Sequence, residues 1–485
     1  MIARLAPYPV HKNPCARLGA PLTRIAHAPL GSAIAAWLAL SSMPAGANTV
    51  YVTNCNDSGG GSLRQSVSLA AANSGDTIDL TGLAGCSSVI SLTTGEITIA
   101  QDNLTLHGPP DGVQVKYDGA GHARVFKHTG TGTLRLENLI VTDGEVYASE
   151  NGTARGGCIY SAGDVYLSNS RVTLCKAKAP GQISSASGGG VFAAGKLEMH
   201  NSTINYNITD GFVGGGGGAN AHDMVIVNST ISGNNSKHDE FGGGLSSRGG
   251  SIVLEYSTVS GNEAGGAGGG IAIFNGGLLK LANSTVSSNH AVIAGAGGIY
   301  VSDVDAVTVQ NSTIAFNTAD TGKNGDAYIA AGLAVQNLNK VVTVTLQSAI
   351  LSNNTYGGIE NDFSTNPLDV KPINTIGANN LVRVAFTALP TTGLITGTCP
   401  LLGLLRDNGG ATQTHALLSR SVAIDAGNND ANLPSTGQHA AHDQRKSPYV
   451  RIFGAPGAPI PKPDIGAYEV QHGEIVFNTN FEGCP

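Results

Sequence analysis

From residue 268 to 289, apolar residues alternate with small or polar ones in two short runs. Ile271 and Ile273 flank Ala272, and Leu279 and Leu281 flank Lys280. A period of two predicts strands with one buried face, and Asn275-Gly276-Gly277 predicts the turn between them. The phase then breaks, because the next inward residue after Leu281 is Val286, five positions on. An odd step needs a bend, and Asn283 stands there. Asn tolerates the left-handed backbone better than other non-Gly residues. The stretch therefore predicts three short strands with a bend between the second and third.

The same corner is written six times: Asn169-Ser170-Arg171-Val172, Asn201-Ser202-Thr203-Ile204, Asn228-Ser229-Thr230-Ile231, Tyr256-Ser257-Thr258-Val259, Asn283-Ser284-Thr285-Val286 and Asn311-Ser312-Thr313-Ile314. The starts lie 32, 27, 28, 27 and 28 residues apart. A fixed period in this range means stacked supersecondary units, here the coils of a parallel β-helix. Inward columns follow: Ile159, Val191, Leu245, Ile271, Ile299 and Leu333 from the first strand, and Leu136, Leu167, Met199, Ile226, Leu254, Leu281 and Val309 from the second. The bend column holds Asn138, Asn169, Asn201, Asn228, Asn283 and Asn311, whose amides are expected to bond along the axis at the ~4.8 Å strand spacing. Each Asn-Ser-Thr is also a glycosylation sequon, but recurrence at bends favours a structural role. Gly clusters at 188–190, 214–218, 242–244 and 268–270 let the chain re-enter the stack with positive φ.

A stack exposes strand edges at both ends and needs caps. Residues 62–73, with Leu63, Val67 and Leu69-Ala70 at helical spacing, predict a capping helix over the first coil. The fold class is thus all-β, a parallel β-helix solenoid with an N-terminal capping helix. The expected organisation is a signal peptide at 1–47, a cap and first irregular coils at 48–144, regular coils at 145–353, irregular coils and a closing cap at 354–470, and a tail at 471–485.

Composition agrees. Gly is 67 of 485 residues, roughly twice the usual ~7%, and charged residues are 13% against ~25%. A helical solenoid needs more Glu, Lys, Leu and Ala. Recurrent apolar positions, within 41% hydrophobic residues, exclude a disordered chain. A net charge of −7 argues against a nucleic-acid partner. The N-terminal stretch is basic through Arg4, Lys12, Arg17 and Arg24, followed by the apolar run Leu30 to Leu40 and Ala45-Gly46-Ala47. That order matches an export signal cleaved before Asn48. The run is too short for a membrane span, which takes ~20 apolar residues. Cys15 leaves with the signal, so Cys55, Cys86, Cys158, Cys175, Cys399 and Cys484 remain. An even count suits disulfides in an exported chain. Nearness pairs Cys55 with Cys86 and Cys158 with Cys175, and elimination pairs Cys399 with Cys484. No spacing is a zinc pattern.

The chain resembles exported bacterial right-handed parallel β-helix proteins with the pectate-lyase-like fold. Gly61-Ser62-Leu63-Arg64-Gln65 and Asp76-Thr77-Ile78 are similar to the opening segment of such proteins. Gly189-Gly190-Val191 and Ile231-Ser232-Gly233-Asn234 are similar to the short repeats of polymorphic outer-membrane proteins. Ala423-Ile424-Asp425-Ala426-Gly427, Asp443-Gln444-Arg445 and Asp464-Ile465-Gly466-Ala467-Tyr468-Glu469 resemble the closing motifs of choice-of-anchor β-helix families. The resemblance implies a right-handed coil and an extracellular or outer-membrane-associated location. Enzymes on this fold act from the outer face of the first-strand sheet and its flanking loops.

The outward first-strand residues should be Tyr160, Phe192, Asn220, Ser246, Ala272, Tyr300 and Ala334, with no charged residue among them. A glycoside hydrolase needs two carboxylates ~5–9.5 Å apart, and a lyase needs a base and often Ca²⁺. The densest charged loop is Lys237-His238-Asp239-Glu240, with Arg248 nearby and His222-Asp223 one coil earlier. Those residues are the catalytic candidates, set against a solvated loop. Tyr160, Phe192 and Tyr300 are candidates for stacking on sugar rings, set against plain cover of the sheet. Asp425, Asp443, Arg445, Asp464 and Glu469 should form a structural closure, with Ca²⁺ as the alternative. No cofactor or metal is otherwise expected. The expected function is an exported, monomeric, non-catalytic scaffold of adhesin-like or glycan-contacting type, its partners glycans or host and cell-surface components. The alternative is a lyase or hydrolase acting on acidic polysaccharides.

Overall fold

The coil foreseen at 268–289 forms strands Ile271–Phe274, Leu278–Ala282 and Thr285–Ser287, where the alternation places them. A fourth strand, His290–Ala291, follows; two residues are too few to show a period of two. These strands define faces one to four of the solenoid. The computed structural model describes residues 46–72, 75–83, 88–293, 295–321, 330–365, 371–428, 433, 436–453 and 461–471. The expected signal segment and the tail from 472 lie outside them, as do Cys86 and Cys484.

Successive coils pair in parallel and in register. Ile271 lies between Leu245 and Ile299, Leu281 between Leu254 and Val309, and Val286 between Val259 and Ile314. Faces one and two share a twenty-stranded sheet, face three has eleven strands and face four nine. The protein is nearly all β, a right-handed parallel β-helix of about eleven turns with an N-terminal helix. The expected inward columns are fully buried, with Ala219 filling the rung between Val191 and Leu245.

Two corners per coil are left-handed. Asn138, Asn169, Asn201, Asn228, Asn283 and Asn311 have φ between 44° and 56°. A second corner, between faces three and four, places Leu174, Tyr206, Gly233, Gly261, Ser288, Phe316 and Asn353 at φ 56–62°. Gly188, Gly216, Gly242 and Gly268 turn the chain back into face one at φ 65–74°. A Cβ at Gly188 would meet the Val191 carbonyl oxygen at 2.2 Å, so only Gly fits there.

The expected amide ladder at the first corner is corrected. One side-chain bond there, Asn228 Nδ2 to Asn201 Oδ1 at 2.6 Å, joins neighbouring members of that column. The extended ladder runs through the other end of the heptad: Asn207, Asn234, Asn262, Asn289, Asn317 and Asn354, four of the six with no solvent exposure and Asn234 and Asn262 at 1%. Each amide of the first five donates, with its own backbone N–H, to the Oδ1 of the next at 2.8–3.0 Å. The remaining Nδ2 hydrogen goes to a carbonyl inside the coil, as Asn262 does to Ile231 at 3.0 Å. At the first corner Asn169 and Asn201 are exposed and Asn138 and Asn228 half-buried, while Asn283 and Asn311 are buried; the second-corner Asn side chains are buried on every rung from Asn207 to Asn354 and must satisfy one another. All amides point the same way, so the last position only has to accept. A carboxylate fills it: Asp362 Oδ1 takes the Asn354 N–H and Nδ2 at 2.9 and 2.8 Å, and Oδ2 takes the Val384 N–H at 2.9 Å. A parallel hydroxyl ladder runs through Ser202, Ser229, Ser257, Ser284 and Ser312. Each accepts a backbone N–H from the coil before it at 3.1–3.2 Å.

The capping helix is Leu63–Leu69, shorter than the pattern suggested. Ser62 caps it, accepting the Gln65 N–H at 3.3 Å, and buries Leu63, Ser66, Val67 and Ala70 against the first coils. Leu69, expected inward, is 64% exposed. The helix stops because the Gln101 amide donates to the Val67 and Ala70 carbonyls, which another turn would have used.

Cys158–Cys175 is a disulfide, as expected. Cys55 and Cys399 are disulfide-bonded too. A last partial rung pairs Ala385 with Phe363 and Ile395 with Leu381, and the described residues between 399 and 470 then run back along the outside of face three. Thr258 donates to the Gln413 carbonyl, Thr285 to Gln444 Oε1, and Thr313 accepts the Ala467 N–H. The closing acids and Arg meet in this strap as expected. Arg445 and Asp443 form a fully buried ion pair at 2.8 Å, and Glu469 accepts N–H groups of Phe453 and Asp464. Arg451, not foreseen, is also fully buried and donates to the Asp464 carbonyl at 2.6 Å.

Candidate functional site: an aromatic and cationic strip on face one

The outward column of face one is in register from Lys127 through Tyr160, Phe192, Asn220, Ser246, Ala272 and Tyr300 to Ala334. The uncharged stretch expected from Tyr160 onward is present, but one rung earlier the column carries Lys127. Rung spacing makes adjacent rings stack: Tyr160 and Phe192 lie 5.6 Å apart with planes 5° from parallel. Arg124 sits over Tyr160 at 5.5 Å and Arg155 over Phe192 at 4.9 Å. Glu96 pairs with Arg124 at 3.0 Å and Lys127 at 3.5 Å. Three cations therefore face one carboxylate.

Arg155 comes from a strand that the regular repeat lacks. Three successive coils carry an extra strand before face one, and these form a small sheet of Thr153–Arg155, Ser185–Ser187 and Val213–Gly215. The spacing of 32 between the first two heptads, instead of 27 or 28, is its trace in the sequence. Arg124 is tied to it by Nε donating to the Arg155 carbonyl at 2.9 Å.

Tyr300 belongs to a second cluster. Phe274 lies 5.7 Å from Tyr300 and 5.0 Å from Phe241, Arg248 sits 5.6 Å from the Phe274 ring, and the Tyr300 hydroxyl donates to Gln336. Rung spacing puts Phe192 and Tyr300 about 19 Å apart along the face. Arg248 is itself outward on face one, paired in register with Phe274. Its residue type was visible in the sequence; the second outward column was not. The residue just before each re-entry Gly, such as Arg155 or Phe241, is the signal that would have found the flanking groups.

The charged candidates do not converge. Lys237, His238 and Asp239 precede the face-one strand Leu245–Arg248 and are exposed, with His238 and Lys237 on Asp210 at 3.2 and 3.5 Å. His222 and Asp223 sit past the face-one residues of the neighbouring coil, at its other end, paired to each other at 2.9 Å. Asp223 also accepts the Ser251 N–H at 2.8 Å, and these bonds lower its pKa against burial. Glu240 is not on the surface at all: it is fully buried and accepts from Thr209 Oγ1 at 2.5 Å. Sequence alone gave no sign of this, since nothing distinguishes a loop carboxylate that tucks under the coil from one that points out.

Burial pushes Glu240 and Glu469 up to about 9, Asp362 to about 7 and Asp464 to about 6. The native state holds these protons where the unfolded chain has released them, so stability falls as pH rises through this range. Buried His415, lowered to about 4, acts oppositely, but only below about 6.5. The clean window is therefore pH 7 to 9. The guanidinium unfolding midpoint should drop across it, and Glu240→Gln with Glu469→Gln should flatten the drop. A midpoint that holds or rises would show that these carboxyls are ionised in the fold.

A family model described as "Right handed beta helix region" matches residues 193–375. No curated protein and no solved structure matches the chain. Fold and match together define a right-handed parallel β-helix protein. Among the described residues no helix is long and apolar enough to cross a membrane, and no cluster of His, Cys, Asp or Glu could hold a metal ion.

Proposed function

We propose that the protein is an exported, non-catalytic β-helix scaffold, secreted or held at the outer membrane, whose face one holds an acidic polysaccharide. The observation that carries the reading is the Tyr160–Phe192 stack with a guanidinium over each ring. Flat aromatic faces take the C–H faces of sugar rings, and guanidinium groups take carboxylates in a two-point grip. In the outward column that holds both Phe192 and Tyr300, the three residues between them are Asn220, Ser246 and Ala272, neutral and small, with Arg248 and Phe274 two residues along the strand. Among the described residues, the carboxylate that pairs with the cations of the first cluster is Glu96, held by both Arg124 and Lys127, which does not supply the two free carboxylates that hydrolysis needs.

Titrating residues 48–485 with polygalacturonate and with a neutral glucan tests this. Polyuronate should bind, less tightly as salt rises, and Tyr160→Ala or Phe192→Ala should weaken it about tenfold. Equal binding of the neutral polymer, or no effect of either variant, would overturn the reading. Unsaturated products that vanish on changing His238 or Asp239 would replace it with a lyase.

A further inference from the structure

The three coils with the extra strand also build a concavity, at the corner between face four and the small extra sheet. It encloses about 350 Å³. Tyr147, Lys178 and Asp210 form one register column along its length, and Phe212 and His238 complete the wall. Two rungs separate Tyr147 from the coil of Phe212, so the rings stand at the two ends of the cleft, about 10 Å apart. Between them the floor is Ala179, Gly181 and Gly211. The hollow is fixed by backbone: Gly181 has φ +106°, and a Cβ at Gly211 would meet the Ala186 nitrogen at 2.6 Å.

Both rings are left in water, Tyr147 at 51% and Phe212 at 42% exposure, on the walls of one concavity. Tyr147 is also held in place: His122 stacks on it at 5.4 Å and 26°. The polar groups supply both signs. Lys178 pairs with Glu145 at 2.9 Å, and Lys176 reaches the same carboxylate at 4.0 Å. Asp210 faces His238 and Lys237. Three lysines thus surround two carboxylates, leaving an excess of positive charge beside an acceptor.

We propose that this cleft binds one acidic sugar unit, a chain end or side branch of the polymer laid along face one. The inference rests on the reading above for where the sugar comes from. The cleft length admits a single ring between Tyr147 and Phe212. The Lys178 ammonium meets the sugar carboxylate, Asp210 accepts from hydroxyls, and His238 bonds a hydroxyl from the other side. A neutral sugar lacks the partner for Lys178, and a polymer interior is blocked by the two rings.

Glucuronate, galacturonate and neutral galactose are titrated against residues 48–485, with ligand contact read by saturation-transfer NMR. One acidic sugar should bind, galactose at least tenfold more weakly. Tyr147→Ala and Lys178→Met should each weaken the acidic sugar by at least fivefold, while Leu69→Ala, exposed on the N-terminal helix, leaves it unchanged. Phe212→Ala, at an exposed position, is the second variant if Tyr147→Ala misfolds. The inference is overturned if neither acidic sugar binds, if galactose binds as well, or if these substitutions change nothing. Loss of polymer binding in Tyr160→Ala is read separately, so the cleft can fail while face one stands, and the reverse.

Discussion

Asn262→Ala should lower the unfolding free energy by about 3–5 kcal/mol, with Asn228→Ala costing only about 1–2 kcal/mol. Asn262 stands in mid-ladder and is 1% exposed. Its Oδ1 accepts both the Asn234 N–H and the Asn234 Nδ2, at 3.0 and 2.9 Å, and its own Nδ2 serves the Ile231 carbonyl and Asn289. Truncation leaves two donors and a carbonyl without partners in a place water does not reach, and each such group costs about 1–3 kcal/mol. Asn228 shares the repeat but turns an outer corner, where Ala pays for the left-handed backbone and water replaces the side-chain bond. The comparison is read from guanidinium unfolding by far-UV circular dichroism, and locally from hydrogen exchange at the Asn234 amide. Equal losses at the two positions would show that the inner ladder carries no special share of stability.

Arg445→Leu should cost about 3–5 kcal/mol and release the strap before the coils. Arg445 and Asp443 are both fully buried, and Nη2 donates to the Glu469 carbonyl at 2.6 Å. The guanidinium lies 3.7 Å from the Tyr449 ring and 3.9 Å from that of Tyr468, so one side chain joins three separate parts of the closure. Removing it leaves the Asp443 charge uncompensated in a dry site. Limited proteolysis should then cut between 399 and 470 while the parallel-sheet spectrum of the coils persists. Replacing Asp443 with Leu as well should recover part of the loss, because the charge left buried is what costs most. Cuts spread evenly over coils and strap, or no recovery in the pair, would sink this account.

How much of this was legible follows from what each feature depends on. The coil was readable because Ile271, Leu281 and Val286 must face one interior, and that interior repeats with every turn. The disulfide Cys158–Cys175 was readable because the two residues fall near one another on one coil. The two Asn positions of the heptad look alike in sequence, and the ladder was assigned to the wrong one. Which corner faces inward depends on the fourth strand, two residues long and without a pattern of its own. Leu69 had helical spacing, yet the distant Gln101 decides where the helix ends. The charged candidates clustered along the chain but lie at opposite ends of a strand, with Glu240 folded under the surface.

The sequence by itself determined the coil, its period and its inward columns, because those follow from local alternation and bends that every turn repeats. The tertiary structure alone decided that Arg124 and Arg155 lie over Tyr160 and Phe192, that Tyr147 and Phe212 bound one cleft, and that the strap carrying Gln413, Gln444 and Ala467 doubles back along face three. Such contacts join residues about one coil or more apart, and stacking, not local pattern, sets which of them meet.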